Sequence, residues 1–115
     1  MAANLDAISR RKILNDTSAD PAKLSPLARE CADQGFLSDA VDFFDKAKDS
    51  EGLNGLLDKA VAEGDLFLVR RILKIQGRKP ERDLLMSVAE NADKLGKALF
   101  AGQAREMAEN NGAGQ

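Results

Sequence analysis

The side chains that could do chemistry are one cysteine, Cys31, a run of carboxylates at Asp39, Asp42, Asp45 and Asp49, and a run of cations at Arg70, Arg71, Lys74, Arg78, Lys79 and Arg82. A thiol nucleophile needs an activating base or a cationic neighbourhood that lowers its pKa. The chain of 115 residues contains no histidine, which removes the commonest general base and metal ligand together. Cys31 lies on an apolar helix face between Leu27 and Gly35 and reads as a small core residue. A single cysteine makes neither an internal disulfide nor a multi-cysteine zinc site. The four aspartates recur every three or four positions, opposite Val41, Phe43 and Phe44, and read as the solvated face of one helix. EGLNG has two glycines but no phosphate-binding pattern, and no loop alternates oxygen ligands as calcium requires. The expectation is a non-enzymatic chain with no catalytic residue, no cofactor and no metal.

The cations carry more information. From Arg29 to Glu51 there are seven acidic residues against three basic ones, and from Arg70 to Arg82 six basic residues against Glu81 alone, within a net charge of −2. Arg70, Arg71 and Lys74 share one side of a helix opposite Leu66, Val69 and Leu73, and Arg78, Lys79 and Arg82 extend the patch. Such a patch suits docking of an acidic partner, which electrostatics would steer. It also suits an ordinary solvated face, head-to-tail self-association of acidic half on basic half, or weak nucleic-acid binding. The last lacks interleaved aromatics, with Phe67 alone in place to stack.

These groups must be positioned by helices. Leucine and alanine dominate the apolar residues, there is no Trp or Tyr, and β-branched residues are scattered. A first helix is expected over 4–15, capped by Asn4. A second begins near Pro21 or Pro26, each behind a capping residue, and ends at Gly35. Ser38 or Asp39 opens the next, DSEGLNG breaks the chain, and further helices follow to Gly64, to QGRKP, and through two more to a disordered tail at 111–115.

Superposed at an offset of 29, Leu27, Leu56 and Leu85 align, as do Cys31, Ala60 and Ala89, and Leu37, Leu66 and Leu95. Gly35 matches Gly64, but the third copy has Asp93, and where the first two have Phe43–Phe44 and Ile72–Leu73 it has Ala101 and Gly102. Stacked helix pairs leave this signature. Leu27, Ala28, Cys31, Gly35, Leu37, Ala40, Val41, Phe44 and Ala47 resemble a tetratricopeptide hairpin. Leu57, Ala60, Val61, Gly64, Leu66, Val69, Ile72 and Leu73 resemble the ankyrin helix pair equally well. The resemblance, over about 25–105, departs from both families in its period, lacks the ankyrin TPLH opening, and lacks the tetratricopeptide proline. It implies a scaffold that presents a groove to a peptide or protein, lined by first helices.

The expected fold is all-α, a right-handed stack of antiparallel helical hairpins with tetratricopeptide-like character and about six to seven helices. Units at 25–50, 53–78 and 82–108 follow the N-terminal helix in a single domain over 1–110, monomeric or homodimeric. The expected function is a small protein-interaction module for an acidic partner; the alternatives are a structural or self-associating domain, with Phe100 as an exposed anchor or packed in its own hairpin, and a weak nucleic-acid binder. No segment has the length and apolarity of a membrane span and the opening residues have no signal-peptide core, which, with the lone cysteine, points to a cytoplasmic setting.

Overall fold

The structure, a computed structural model, describes residues 6–16, 18 and 20–113. Among them are seven α-helices and no strand: α1 Ala7–Asn15, α2 Pro21–Asp33, α3 Leu37–Ala47, α4 Ser50–Ala62, α5 Leu66–Ile75, α6 Arg82–Lys94 and α7 Ala98–Ala113. They form two compact units, Met1–Leu56 and Leu57–Gln115, with the division falling inside α4.

In the first unit α2 and α3 pair as a hairpin, and α1 packs on α3. The expected cap Asn4 lies outside the described residues; Asp6 caps α1, accepting from the Ser9 N–H at 2.7 Å. Of the two prolines, Pro21 starts α2, and the Asp20 carboxylate accepts from the Ala22 N–H at 3.0 Å. Pro26 lies inside the helix on its exposed side. Its missing N–H leaves only the Ala22 carbonyl without an intrahelical partner, and Ala22 is itself exposed to water. The core is Leu24, Ala28 and Cys31 of α2 with Ala40, Val41, Phe43 and Phe44 of α3 and Leu53 and Leu56 of α4.

α3 starts at Leu37 with Phe36 in the cap position and no side-chain cap. The expected break over DSEGLNG is only Lys48 and Asp49. Lys48 takes the left-handed conformation, φ 57°, and the Asp49 N–H returns to the Phe44 carbonyl at 2.9 Å. The Asp49 side chain then accepts from Gly52 N–H at 2.9 Å, which starts α4. Gly52 is therefore helical, and its role is space: a Cβ there would lie 2.2 Å from the Phe44 ring.

In the second unit α6 and α7 form a hairpin and α5 packs on α7. α4 turns into α5 at Gly64, φ +63°, with the Asp65 N–H bonded to the Ala60 carbonyl at 2.9 Å. Carbonyls at the end of α4 and just past it also accept from the following hairpin: Asn91 Nδ2 donates to Val61 O at 2.8 Å and Lys97 Nζ to Glu63 O at 2.7 Å. Leu66, Leu68, Val69, Ile72 and Leu73 of α5 and Leu85, Val88, Ala89 and Ala92 of α6 are buried, while α7, among its described side chains, offers Ala101, Ala104 and Ala108. α7 continues through residues 111–113, which were expected in the tail; 114 and 115 lie outside the described residues.

The helix bounds also correct the register of the third hairpin. α2 and α4 start 29 positions apart, at Pro21 and Ser50, but α4 and α6 start 32 apart, at Ser50 and Arg82. The connection Gln76–Glu81 is six residues long where Lys48–Asp49 is two. Once that is counted, Gly96 (φ +76°) answers Gly64, Leu85 answers Leu53, and Ala101 and Ala104 answer Val69 and Ile72. The third hairpin is in frame, with alanine in place of bulkier core residues.

Two outcomes test this packing. Gly35 and Gly64 both have positive φ, but a Cβ at Gly35 meets nothing within 4 Å, whereas at Gly64 it would lie 2.5 Å from the Ala92 backbone. Gly35→Ala is expected to cost about 1 kcal/mol, the left-handed strain alone, and Gly64→Ala clearly more, about 3 kcal/mol or above; equal losses in urea unfolding would refute the close approach. The Asp49 carboxyl is held below its ordinary pKa by the Gly52 N–H, the Ser25 hydroxyl and the Arg29 guanidinium, against partial desolvation. A lowered folded pKa stabilises above the unfolded value and is lost as pH falls through the folded one. Asp49→Ala should thus cost about 1 kcal/mol at neutral pH. The gap from the parent protein should close between about pH 5 and pH 2; a gap constant with pH counts against the charged cap.

Candidate docking groove

Asp65 caps α5, its carboxylate accepting from the Leu68 N–H at 3.1 Å. The helix buries five of its ten residues, which turns Phe67, Arg70 and Lys74 outward, all three exposed. Gly77 ends it, with the Arg78 N–H returning to the Leu73 carbonyl at 2.9 Å, and the chain leaves through Arg78, Lys79 and Pro80 before α6. Beside this run lies an open groove of about 590 Å³. Five of the six cations singled out in the sequence line it: Arg70, Arg71, Lys74, Arg78 and Lys79. Arg82, the first residue of α6, is exposed but outside the lining.

The remaining lining is apolar: Phe67 and Leu73 of α5, Pro80, and Met107 of α7. Leu73 is 2% exposed and forms floor, whereas Phe67 is 66% exposed and stands at the rim. The groove is thus built from the second helices of two hairpins, not from first helices as expected. Arg78 Nη1 donates to Gln76 Oε1 at 3.0 Å. Among the described residues no carboxylate pairs with Arg70, Lys74 or Lys79.

The acidic run behaves otherwise, and its reading as a solvated face is corrected. Arg10 pairs through Nε with Asp39 Oδ2, and its guanidinium lies 4.2 Å from the centroid of the Phe36 ring. Arg11 lies 3.9 Å from Asp39 and 3.8 Å from Asp42. Asp39, Asp42 and Asp49 are half-buried, and only Asp45 of the four is exposed. A smaller depression of about 420 Å³ between α1 and α3 carries both signs, Arg11, Lys46 and Lys48 with Asp42 and Asp45. Asp39 and Asp42 of α3 are engaged by α1, a pairing that a reading of α3 alone could not show.

Other candidate features resolve plainly. Cys31 is 6% exposed, and burial pushes its thiol pKa up. EGLNG is part of α4. Phe100 is half-buried, and the exposed apolar residues near it are Leu95 and Leu99. Among the described residues no three Cys, Asp or Glu side chains gather where they could hold a metal ion, and no helix is long and apolar enough to cross a membrane. Comparison with protein-family models, with curated proteins and with solved structures finds no match.

Met107 and Pro80 are the lining residues that sequence reasoning missed. Pro80 sits within the basic run and reads as a turn, and Met107 is brought to α5 only by the packing of α7. The burial of Cys31 has a direct consequence. Native protein should alkylate with iodoacetamide at least tenfold more slowly than protein in denaturant, and equal rates would place Cys31 at the surface.

Proposed function

We propose that the chain is a non-enzymatic protein-interaction module whose hairpins stack in the right-handed, tetratricopeptide-like manner expected from its sequence. In this reading it docks an acidic protein or peptide in the cytoplasm through the α5–α7 groove. One observation carries the reading: Arg70, Lys74 and Lys79 border an apolar-floored groove with no carboxylate among the described residues to pair with them. Cations of this kind, beside an apolar floor, gain more from an external anion than cations scattered on open surface, because the floor excludes part of the water that would screen them. The engagement of Asp39 and Asp42 by Arg10 and Arg11 also weakens head-to-tail association, since two of the carboxylates it would draw on are already paired.

A second reading, self-association, is favoured by Leu95 and Leu99, which are 55% and 73% exposed. Light scattering separates the two readings, since a dimer dissolved by Leu99→Ser would support it.

For the main reading, the triple substitution Arg70→Glu, Lys74→Glu and Lys79→Glu is the test. In an array of soluble peptides of graded charge, the parent protein should retain acidic peptides, with affinity falling as salt rises. The triple variant should lose them at least tenfold while its circular dichroism is unchanged. Retention that ignores peptide charge, or survives the triple substitution, would return the patch to ordinary solvated surface.

A further inference from the structure

The order of side chains along the groove says more about the occupant than its charge does. Arg70 and Lys74 are four residues apart on α5, so their Cα atoms are separated by about 6 Å along the axis. Leu73 lies between those levels as buried floor, with Met107 of α7 also lining the groove, and Phe67 stands one turn before Arg70. The cations therefore bracket an apolar patch. A lone carboxylate or phosphate would use the cations and leave that patch wet; a plain apolar side chain would leave the cations unanswered.

We propose that the occupant is a segment of a partner protein in which one large apolar side chain is bracketed by carboxylates. The apolar side chain enters between Leu73 and Met107 under the edge of Phe67, and the carboxylates pair with Arg70 and Lys74, with Lys79 available to a third. The pitch of about 6 Å is met by acidic residues one helical turn apart or two apart in an extended segment, so the pattern constrains composition and spacing. This proposal rests on the acidic-partner reading and adds to it the apolar anchor.

The α1–α3 pair supplies an internal comparison. There too a cation of one helix, Arg11 of α1, borders a depression, but the facing helix answers it with Asp42 in the lining and Asp39 beside it. In the α5–α7 groove the residue contributed by the facing helix is Met107. A thioether offers packing and almost no hydrogen bonding, so α7 completes the floor and leaves the charge for a ligand to supply. The groove favours a protein segment over a single-stranded nucleic acid for the same reason: its floor is chiefly aliphatic, with Phe67 the one aromatic ring on which a base could stack.

The experiment uses three fluorescent probes on the full chain: an acidic peptide with a central leucine, the same peptide with serine at the centre, and an oligothymidylate of equal charge. The leucine peptide should bind the parent protein about tenfold more tightly than the serine peptide, the value of burying much of one leucine side chain. Met107→Gln with Phe67→Ser should erase that difference and leave the serine peptide's affinity unchanged. Arg70→Glu with Lys74→Glu should weaken both peptides. Equal affinity of the two peptides for the parent overturns the anchor and leaves the acidic-partner reading standing. Failure of both peptides to bind overturns the anchor and that reading together. Tighter binding of the oligothymidylate than of the leucine peptide overturns the proposal in favour of a nucleic-acid ligand.

Discussion

Gly64 meets the backbone of Ala92 so closely that no side chain fits between them, and the second unit depends on that contact. It lets the end of α4 lie against α6 at near-minimal separation, which brings Asn91 and Lys97 within reach of the carbonyls of Val61 and Glu63. The Val61 carbonyl already accepts from the Gly64 N–H at 3.0 Å and gains Asn91 as a second donor, while the Glu63 carbonyl, just past the end of α4, gains Lys97. With α6 seated, the turn through Gly96 sends α7 back along it, and the alanines 101, 104 and 108 are buried. Met107 of that same helix lines the groove beside α5.

The first unit is organised around charge as much as around Phe43 and Phe44. Arg10 is the buried charged residue among the described residues, and it is compensated by Asp39 and by the face of Phe36. A buried guanidinium is tolerated only when paired and hydrogen-bonded, so the pairing also dictates where α1 lies on α3. Asp49 has a comparable structural duty, gathering the Gly52 N–H, the Ser25 hydroxyl and the Arg29 charge at the start of α4. Asp39, Asp42 and Asp49 of the acidic run are accordingly fasteners within the unit, and Arg70, Lys74, Arg78 and Lys79 of the basic run face outward. A chain of net charge −2 can therefore present a cationic groove.

Much of the helical order was legible from residue patterns. The apolar spacing of α2, α5 and α6 and the Gly35 and Gly64 ends all rest on interactions within one or two turns, which local sequence encodes, whereas the choice of Pro21 over Pro26 as the start of α2 was left open by two equivalent capping signals. The misread places have a shared cause. Lys48 adopts a left-handed conformation without being glycine, and Gly52, which looks like a breaker, is small because Phe44 lies against it. The third hairpin looked degraded because the six-residue connection Gln76–Glu81 shifts its frame, and a fixed offset cannot absorb an insertion.

The sequence by itself determined the all-helical class, the hairpin periodicity and the presence of two oppositely charged runs, because each follows from residue type and near-neighbour spacing. Only the tertiary structure decided what the charges do. Whether a carboxylate meets a guanidinium depends on helices brought together from distant parts of the chain, as Asp39 and Arg10 are. Whether a cation borders a groove depends on what packs beside it, as α7 and Met107 pack beside Arg70 and Lys74. Both are set by the three-dimensional packing of side chains whose separation along the chain carries no record of it.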